Sequence, residues 1–151
     1  MKTLIRGGMV YDGTGAAPFV GDVVFEGQTI CFVGKEYTGD AEHIIDAKGK
    51  IVTPGFVDMH THYDGQISWD EELAPSVYHG VTTVVLGNCG VGFAPVHAAD
   101  RSRLIELMEG VEDIPGTALH QGITWDWESF PEYMDALEKK PHTIDLSLIH
   151  I

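Results

Sequence analysis

Two histidines separated by one residue, His60 and His62, end a short apolar run that begins at Phe56. Because side chains alternate along a β-strand, both imidazoles project to the same face of such a strand. Imidazole nitrogens are frequent zinc ligands, so the pair predicts a shared divalent metal. Asp58 has the same parity, and its carboxylate would orient one histidine through the second ring nitrogen. The alternative is two polar residues at a strand exit, each satisfied by backbone or water.

A cysteine follows a second apolar run in a comparable position. Cys89 lies within Gly87–Gly90, directly after Val81–Leu86. Flanking glycines let the backbone turn sharply, and a thiolate is a strong, soft zinc ligand. Considered alone, Cys89 could equally be a small buried hydrophobic residue. Cys31 lies in an apolar strand pattern and is interpreted as a small buried hydrophobic residue. Two cysteines cannot form a disulfide framework.

The apolar runs are typical of parallel strands that are buried on both faces. A third run, Ile144–Ile151, has the same character. Helical patterns lie between these runs, and this alternation predicts an α/β protein with parallel β/α units. Functional residues collect at the carboxyl ends of strands in such folds, which is where His60, His62 and Cys89 lie.

Two helices are predicted between the second and third runs. The first begins near Asp100 and ends near Gly110, and its apolar face has helical spacing: Leu104, Leu107, Met108 and Val111. The second begins with a capping-box pattern at Ser129–Glu132 and ends before Pro141. Its predicted apolar face comprises Phe130, Tyr133, Met134 and Leu137.

The first 52 residues have a different sequence pattern. Short strand patterns alternate with glycine-containing turns, and no helix pattern is found there. The predicted strands are Thr3–Ile5, Met9–Tyr11, Asp22–Glu26, Thr29–Val33 and His43–Asp46. We therefore expect a small antiparallel β layer at 1–52 and a separate α/β region at 53–151.

Composition excludes several classes of protein. The 151 residues are 44% hydrophobic, which is ordinary for a globular protein. The sequence has no apolar run long enough to span a membrane and no signal-peptide core, so a cytoplasmic location is expected. A net charge of −14 repels phosphate backbones and anionic lipid surfaces, so neither nucleic acid nor membrane is an expected partner.

Other polar groups are interpreted as structural. The remaining histidines lack ligand spacing: His43, His79, His97, His120, His142 and His150. The carboxylates of Glu106, Glu109, Glu112 and Asp113 are typical of a solvated helix face. Trp125 and Trp127 are expected to pack against a helix, with a substrate rim as the alternative.

Longer motifs resemble a known family. Asp46–His62 resembles the entry into the barrel of the amidohydrolase superfamily. Within it, Gly80–Pro95, Leu107–Gly116 and Trp125–Phe130 resemble the D-aminoacylase, or N-acyl-D-amino-acid deacylase, branch. The resemblance extends from Met1 to about Asp145.

This resemblance implies zinc-dependent hydrolysis of the N-acyl amide of N-acyl-D-amino acids. It also implies a (β/α)8 barrel that follows part of a β-sandwich, with Cys89 as a principal zinc ligand. His60 and His62 would support a second, often weaker metal position. Histidines from later barrel strands and a general-base aspartate are expected beyond Ile151, so the resemblance assigns no catalytic base within this chain.

The length conflicts with a complete barrel, which takes about 250 residues. We expect an incomplete (β/α)8 TIM barrel with two or three β/α units and negligible activity from this chain alone. The tail Leu146–Ile151 does not match the family pattern, so it is either foreign sequence or the end of the third apolar strand. Alternatives are a hydantoinase or dihydroorotase type of cyclic-amide hydrolase, against which Cys89 argues, or a non-catalytic metal-binding module.

Overall fold

The computed structural model describes residues 1–148. The chain divides into two compact units, of which the first is Met1–Pro54 and the second begins at Gly55. The expected boundary between residues 52 and 53 lies close to this division. Among the described residues, no helix has the length and apolar character needed to cross a bilayer.

The first unit is one mixed sheet. Its strands are β1 (Lys2–Val10), β2 (Phe19–Glu26), β3 (Thr29–Gly34), β4 (His43–Asp46) and β5 (Ile51–Val52). β1 pairs with β2 and β2 with β3 in antiparallel fashion, whereas β4 and β5 pair with β1 in parallel. The expected purely antiparallel layer is therefore wrong. The connection 35–42 is longer than a hairpin turn, so the chain can return to β1 and run alongside it in parallel.

Strand β1 is continuous, although the sequence predicted two strands in this stretch. A bulge lies between Ile5 and Gly8, and Gly7 adopts a left-handed conformation with φ of 72°. The buried carboxylate of Asp22 accepts a hydrogen bond from the Gly7 amide at 2.9 Å. The glycine pair forms a bulge because this carboxylate satisfies an amide that has left the ladder.

The second unit alternates strands and helices. Strands β6 (Phe56–Asp58), β7 (Val81–Leu86) and β8 (Asp145–Leu148) form a parallel sheet in the order β6–β7–β8. The predicted parallel β/α alternation is confirmed. The third predicted strand began at Ile144, and its residues 149–151 lie outside the described residues.

Four α-helices connect these strands. Helix α1 (Ala74–Tyr78) lies between β6 and β7, and α2 (Arg101–Glu112), α3 (Gly116–Gly122) and α4 (Phe130–Glu138) lie between β7 and β8. Short 3-10 turns occupy Gln66–Ser68, Asn88–Gly90 and Ala98–Asp100. The core between the helices and the sheet includes Ile67, Leu73, Val84, Leu86, Phe93, Ile105, Met108, Leu119, Trp127, Tyr133 and Leu137.

Burial of the strands differs from the prediction for β6. Val84, Val85 and Leu86 of β7 are buried, as expected for a central strand. Phe56 and Val57 of β6 are 57% and 54% exposed, so burial on both faces is wrong for this strand. The reason is position, because among the described residues β6 pairs with β7 alone, while β7 lies between two strands.

The buried face of α2 is rotated from the predicted one. Ile105 and Met108 are buried, whereas the predicted Leu107 is 61% exposed. The helix continues past Gly110 to Glu112 and ends at Asp113, whose φ is 55°. Apolar residues occupy both faces of this helix, so spacing alone does not determine which one packs inward.

Helix α4 begins at the predicted capping box. The Ser129 hydroxyl accepts a hydrogen bond from the Glu132 amide, and the Glu132 carboxylate accepts one from the Ser129 amide at 2.9 Å. The Glu128 amide donates to the same carboxylate at 3.0 Å. The Ser129 amide, then the Glu128 amide and the Ser129 hydroxyl lower the pKa of Glu132 to about 2.

The lowered pKa of the Glu132 carboxyl predicts how the stability of the folded chain depends on pH. Because the folded-state pKa of Glu132 lies below its ordinary value, its contribution is complete above about pH 4.5 and is lost as the pH falls towards 2. We expect Glu132→Gln to lower the free energy of unfolding at pH 6, with the difference from wild type narrowing below pH 4.5. Urea unfolding of the variant and the wild type across this pH range measures the difference. Glu138→Gln, at the other end of α4, is the matched control and should show no such narrowing.

Candidate metal centre

His60 and His62 lie on the segment that follows β6. Thr61, between them, is buried, and both its amide and its hydroxyl donate hydrogen bonds to the Val85 carbonyl of β7, at 3.2 and 2.7 Å. The two imidazole rings lie 5.3 Å apart between centroids and are tilted by 48°. Thr61 thus anchors the segment while its two neighbours bring their rings together.

Cys89 lies on the turn that follows β7. Its backbone is left-handed, with φ of 62°, between Gly87 and Gly90, which are also left-handed. A non-glycine residue seldom takes this conformation, which costs about 1 kcal/mol or more. The buried Asn88 amide donates to the Val85 carbonyl at 2.9 Å and to the Thr61 carbonyl at 3.4 Å. One side chain therefore ties the cysteine turn to the histidine segment.

The three predicted ligands converge. Cys89 Sγ lies 3.4 Å from His60 Nε2 and 3.7 Å from His62 Nε2. A tetrahedral zinc ion with ordinary Zn–S and Zn–N distances separates a sulfur from a nitrogen ligand by about 3.6 Å. Both sulfur–nitrogen distances therefore match the separation expected of zinc ligands. Cys31 lies on β3 of the first unit, where it is exposed.

Asp58 does not take its predicted role. Its Oδ1 accepts a hydrogen bond from the backbone amide of His60 at 3.2 Å instead of one from an imidazole. The side chain turns back onto its own chain because the extended strand ends at Asp58.

A second cluster of ionisable groups adjoins the first. One ligand atom each from His62, Asp64 and Glu112 lie within 4.8 Å of one another. Asp64 is 2% exposed, and burial raises its pKa while a hydrogen bond from the Gly87 amide opposes the rise. Burial, followed by the Asp64 carboxylate, raises the pKa of Glu112 to about 7.

Sequence reasoning missed both carboxylates. Asp64 continues the alternate spacing of His60 and His62, and this signal could have identified it. Glu112 was assigned to a solvated face, which is wrong. It follows Ile105 and Met108 along the inward face of α2, which the sequence alone did not distinguish.

The other candidate groups lie elsewhere. Among residues 1–148, the potential ligand clusters contain no histidine besides His60 and His62. The expectation that the two tryptophans pack against a helix is confirmed for Trp127, whose ring lies 4.9 Å from that of Tyr133 on α4. Trp127 is 3% exposed and donates from Nε1 to the Phe93 carbonyl at 2.8 Å. Trp125 lies against it with ring centroids 5.8 Å apart.

Comparison with known proteins assigns the family. A family model described as the amidohydrolase family matches residues 43–150. The chain belongs to the amidohydrolase family. This match covers the whole of the β6–β7–β8 sheet and every residue of both polar clusters.

Individual relatives agree with this assignment. The amidohydrolase chain is 31% identical over 142 residues to a D-aminoacylase of Alcaligenes xylosoxydans xylosoxydans, which is 94% of this chain and 27% of the relative. A crystal structure of D-aminoacylase matches 97% of this chain and 29% of its own with a TM-score of 0.78 and 33% identity. An N-acyl-D-glutamate deacylase from Bordetella bronchiseptica, solved with zinc and a phosphonate inhibitor, matches with a TM-score of 0.69 and 30% identity over 97% of this chain and 28% of its own. The chain therefore spans slightly more than a quarter of these relatives.

Removal of the Cys89 thiol tests the convergence of the three ligands. We expect Co²⁺, a spectroscopic substitute for zinc, to give a sulfur-to-cobalt absorption band with the wild-type chain and with Cys31→Ser. Cys89→Ser should abolish the band and weaken binding by more than the roughly 10–100-fold that loss of an outer hydrogen-bond partner costs. A band that persists in Cys89→Ser and disappears in Cys31→Ser would make Cys31 the metal ligand and would contradict the predicted role of Cys89.

The buried carboxyl of Glu112 generates a stability prediction. Neither of its oxygens meets hydrogen-bond geometry with a partner among the described residues, and burial and the Asp64 carboxylate outweigh the nearby Gly65 amide in their effect on its pKa. It also lies in the last turn of α2, where a negative charge is unfavourable. Glu112→Leu should raise the free energy of unfolding of the metal-free chain by about 1 kcal/mol, a low value because the side chain is only partly buried. Urea unfolding measures the change, and Glu106→Leu, on an exposed position of α2, is the control. A loss of stability in Glu112→Leu would show that the carboxyl has a stabilising partner.

Proposed function

We propose that this chain forms the beginning of a zinc-dependent amidohydrolase that cleaves the N-acyl amide of N-acyl-D-amino acids. His60, His62 and Cys89 are its metal ligands. The observation that carries the proposal is the convergence of Cys89 Sγ with the two Nε2 atoms at 3.4 and 3.7 Å, which fits tetrahedral zinc.

The architecture follows from the same proposal. Residues 1–52 are part of an accessory β-sandwich, and 53–151 begin a (β/α)8 barrel of which β6, β7 and β8 are strands. The parallel order of these strands and their intervening helices supports it. The net charge of −14 supports a small-molecule substrate over nucleic acid or a membrane surface. The proposal includes the cytoplasmic location expected from the sequence.

The substrate class is supported by the relatives. Proteins similar to this chain are named D-aminoacylase and N-acyl-D-aspartate deacylase, at 31% and 30% identity. The N-acyl-D-glutamate deacylase was solved with an inhibitor described as a mimic of the tetrahedral intermediate. The shared chemistry is hydrolysis of a linear amide whose nitrogen belongs to a D-amino acid.

The described residues supply the ligands and hold them in place. A zinc ion here would polarise the amide carbonyl and lower the pKa of a bound water. Cys89 would provide the sulfur ligand, and the Asn88 side chain keeps its turn against the histidine segment. Thr61 fixes the spacing of the two imidazoles by two hydrogen bonds to one carbonyl.

Substrate specificity tests the proposal in the protein that contains this segment. We expect hydrolysis of N-acetyl-D-amino acids and none of their L-enantiomers, measured by release of the free amino acid. Cys89→Ala should lower kcat/KM by at least about 100-fold, since it removes a metal ligand. Cys31→Ala is the matched control and should retain the wild-type rate. Hydrolysis of hydantoin or dihydroorotate in place of N-acyl-D-amino acids would overturn the substrate assignment.

A further inference from the structure

The imidazole of His62 has two nitrogens in different surroundings. Its Nε2 faces the Cys89 thiol at 3.7 Å. Its Nδ1 is buried and has no hydrogen-bond partner among the described residues. A histidine that binds a metal through Nε2 carries its proton on Nδ1, and this N–H is nearly always held by a carboxylate or a carbonyl.

Asp64 offers a buried carboxylate close to the His62 ring. The residue is 2% exposed, and its Oδ1 accepts a hydrogen bond from the Gly87 amide at 2.9 Å. Its Oδ2 is buried and has no partner among residues 1–148. An oxygen of Asp64 and a nitrogen of His62 lie within 4.8 Å of each other, which places this buried carboxylate next to the ring that carries the unpartnered Nδ1.

We propose that Asp64 is a positioning residue for the metal centre, and that its Oδ2 accepts a hydrogen bond from Nδ1–H of His62. This inference rests on the proposed function, in which His62 Nε2 binds the metal. The hydrogen bond fixes the tautomer that leaves the Nε2 lone pair free and limits rotation of the ring.

The same carboxylate couples two ligands that are distant in sequence. Oδ1 holds the Gly87 amide at the base of the turn that carries Cys89, and Oδ2 holds His62. One side chain thus sets the position of the histidine relative to the thiol. The predicted orienting residue, Asp58, accepts instead from the backbone amide of His60 through its Oδ1.

Asp64 is favoured over Glu112, the other carboxyl in the cluster, because its position is fixed. The Gly87 amide holds its side chain, and the buried Tyr133 hydroxyl donates to its backbone carbonyl at 2.8 Å. Glu112 extends from the last turn of α2, and neither of its oxygens meets hydrogen-bond geometry with a partner among the described residues, although the Gly65 amide lies near enough to lower its pKa.

The substitution Asp64→Asn isolates the proposed hydrogen bond. This substitution removes the carboxylate charge and keeps the shape of the side chain. The amide retains an oxygen that can accept from the Gly87 amide. An NH₂ group replaces Oδ2 and cannot accept from His62. Asp22→Asn is the matched control, because Asp22 is also buried and also accepts backbone amides, from Gly7 and Tyr37. Circular dichroism shows whether each variant folds.

The first readout is the imidazole of His62 in the metal-free chain. Nitrogen-15 NMR at about pH 8, above the ordinary pKa of histidine, distinguishes the two neutral tautomers, and His62→Gln assigns the signals. We expect the Nδ1–H tautomer in the wild type and in Asp22→Asn, and a shift towards the Nε2–H tautomer in Asp64→Asn. An Nε2–H tautomer in the wild type overturns the inference even if Asp64→Asn does not fold. A shift in Glu112→Leu without one in Asp64→Asn also overturns it.

The second readout separates this inference from the proposed function. Zinc affinity, measured by competition with a chromophoric chelator, should fall about 10–100-fold in Asp64→Asn and stay unchanged in Asp22→Asn. Unchanged affinity in a folded Asp64→Asn would overturn a role in positioning the metal ligand. Zinc affinity that is equal in wild type and Cys89→Ala would instead refute the proposed metal centre, while the NMR result would still decide whether Asp64 holds His62.

Discussion

Parallel pairing of β6 with β7 is the constraint on which the rest of the second unit depends. Parallel strands end at the same edge of a sheet, so the segments that leave β6 and β7 emerge side by side. Thr61 donates to the Val85 carbonyl and the Asn88 side chain donates to the Thr61 carbonyl, and these two hydrogen bonds bind the segments together. As a result, His62 and His60, which precede Cys89 by 27 and 29 positions in the sequence, both bring Nε2 within hydrogen-bond distance of its sulfur.

The same edge carries features that oppose stability. Cys89 has a left-handed backbone, and buried atoms of His62, Asp64 and Glu112 lack hydrogen-bond partners among the described residues. Each feature raises the free energy of the folded chain, and all lie within one small region. Such a concentration is typical of a functional site, where the geometry of ligands is retained at the expense of stability.

Three features of the second unit followed from the sequence, whereas helix α3 and the buried face of α2 did not. Buried β7, the capping box of α4 and the parallel alternation each have a strong local signal, because burial, capping and strand spacing depend on neighbouring residues. The first unit was less predictable. Its bulge at Gly7 depends on the distant Asp22 carboxylate, and the parallel addition of β4 to β1 depends on how the chain returns after β3.

The sequence by itself determined which residue types are available for metal binding and that His60, His62 and Cys89 follow strand ends. Their spacing is local information, and parallel strand order turns it into proximity. Only the tertiary structure decided that Asp58 turns to the backbone and that Asp64 and Glu112 face His62. The physical reason is that α2 carries apolar residues on two faces, and packing against the core, rather than periodicity, selects the face that brings Glu112 inside.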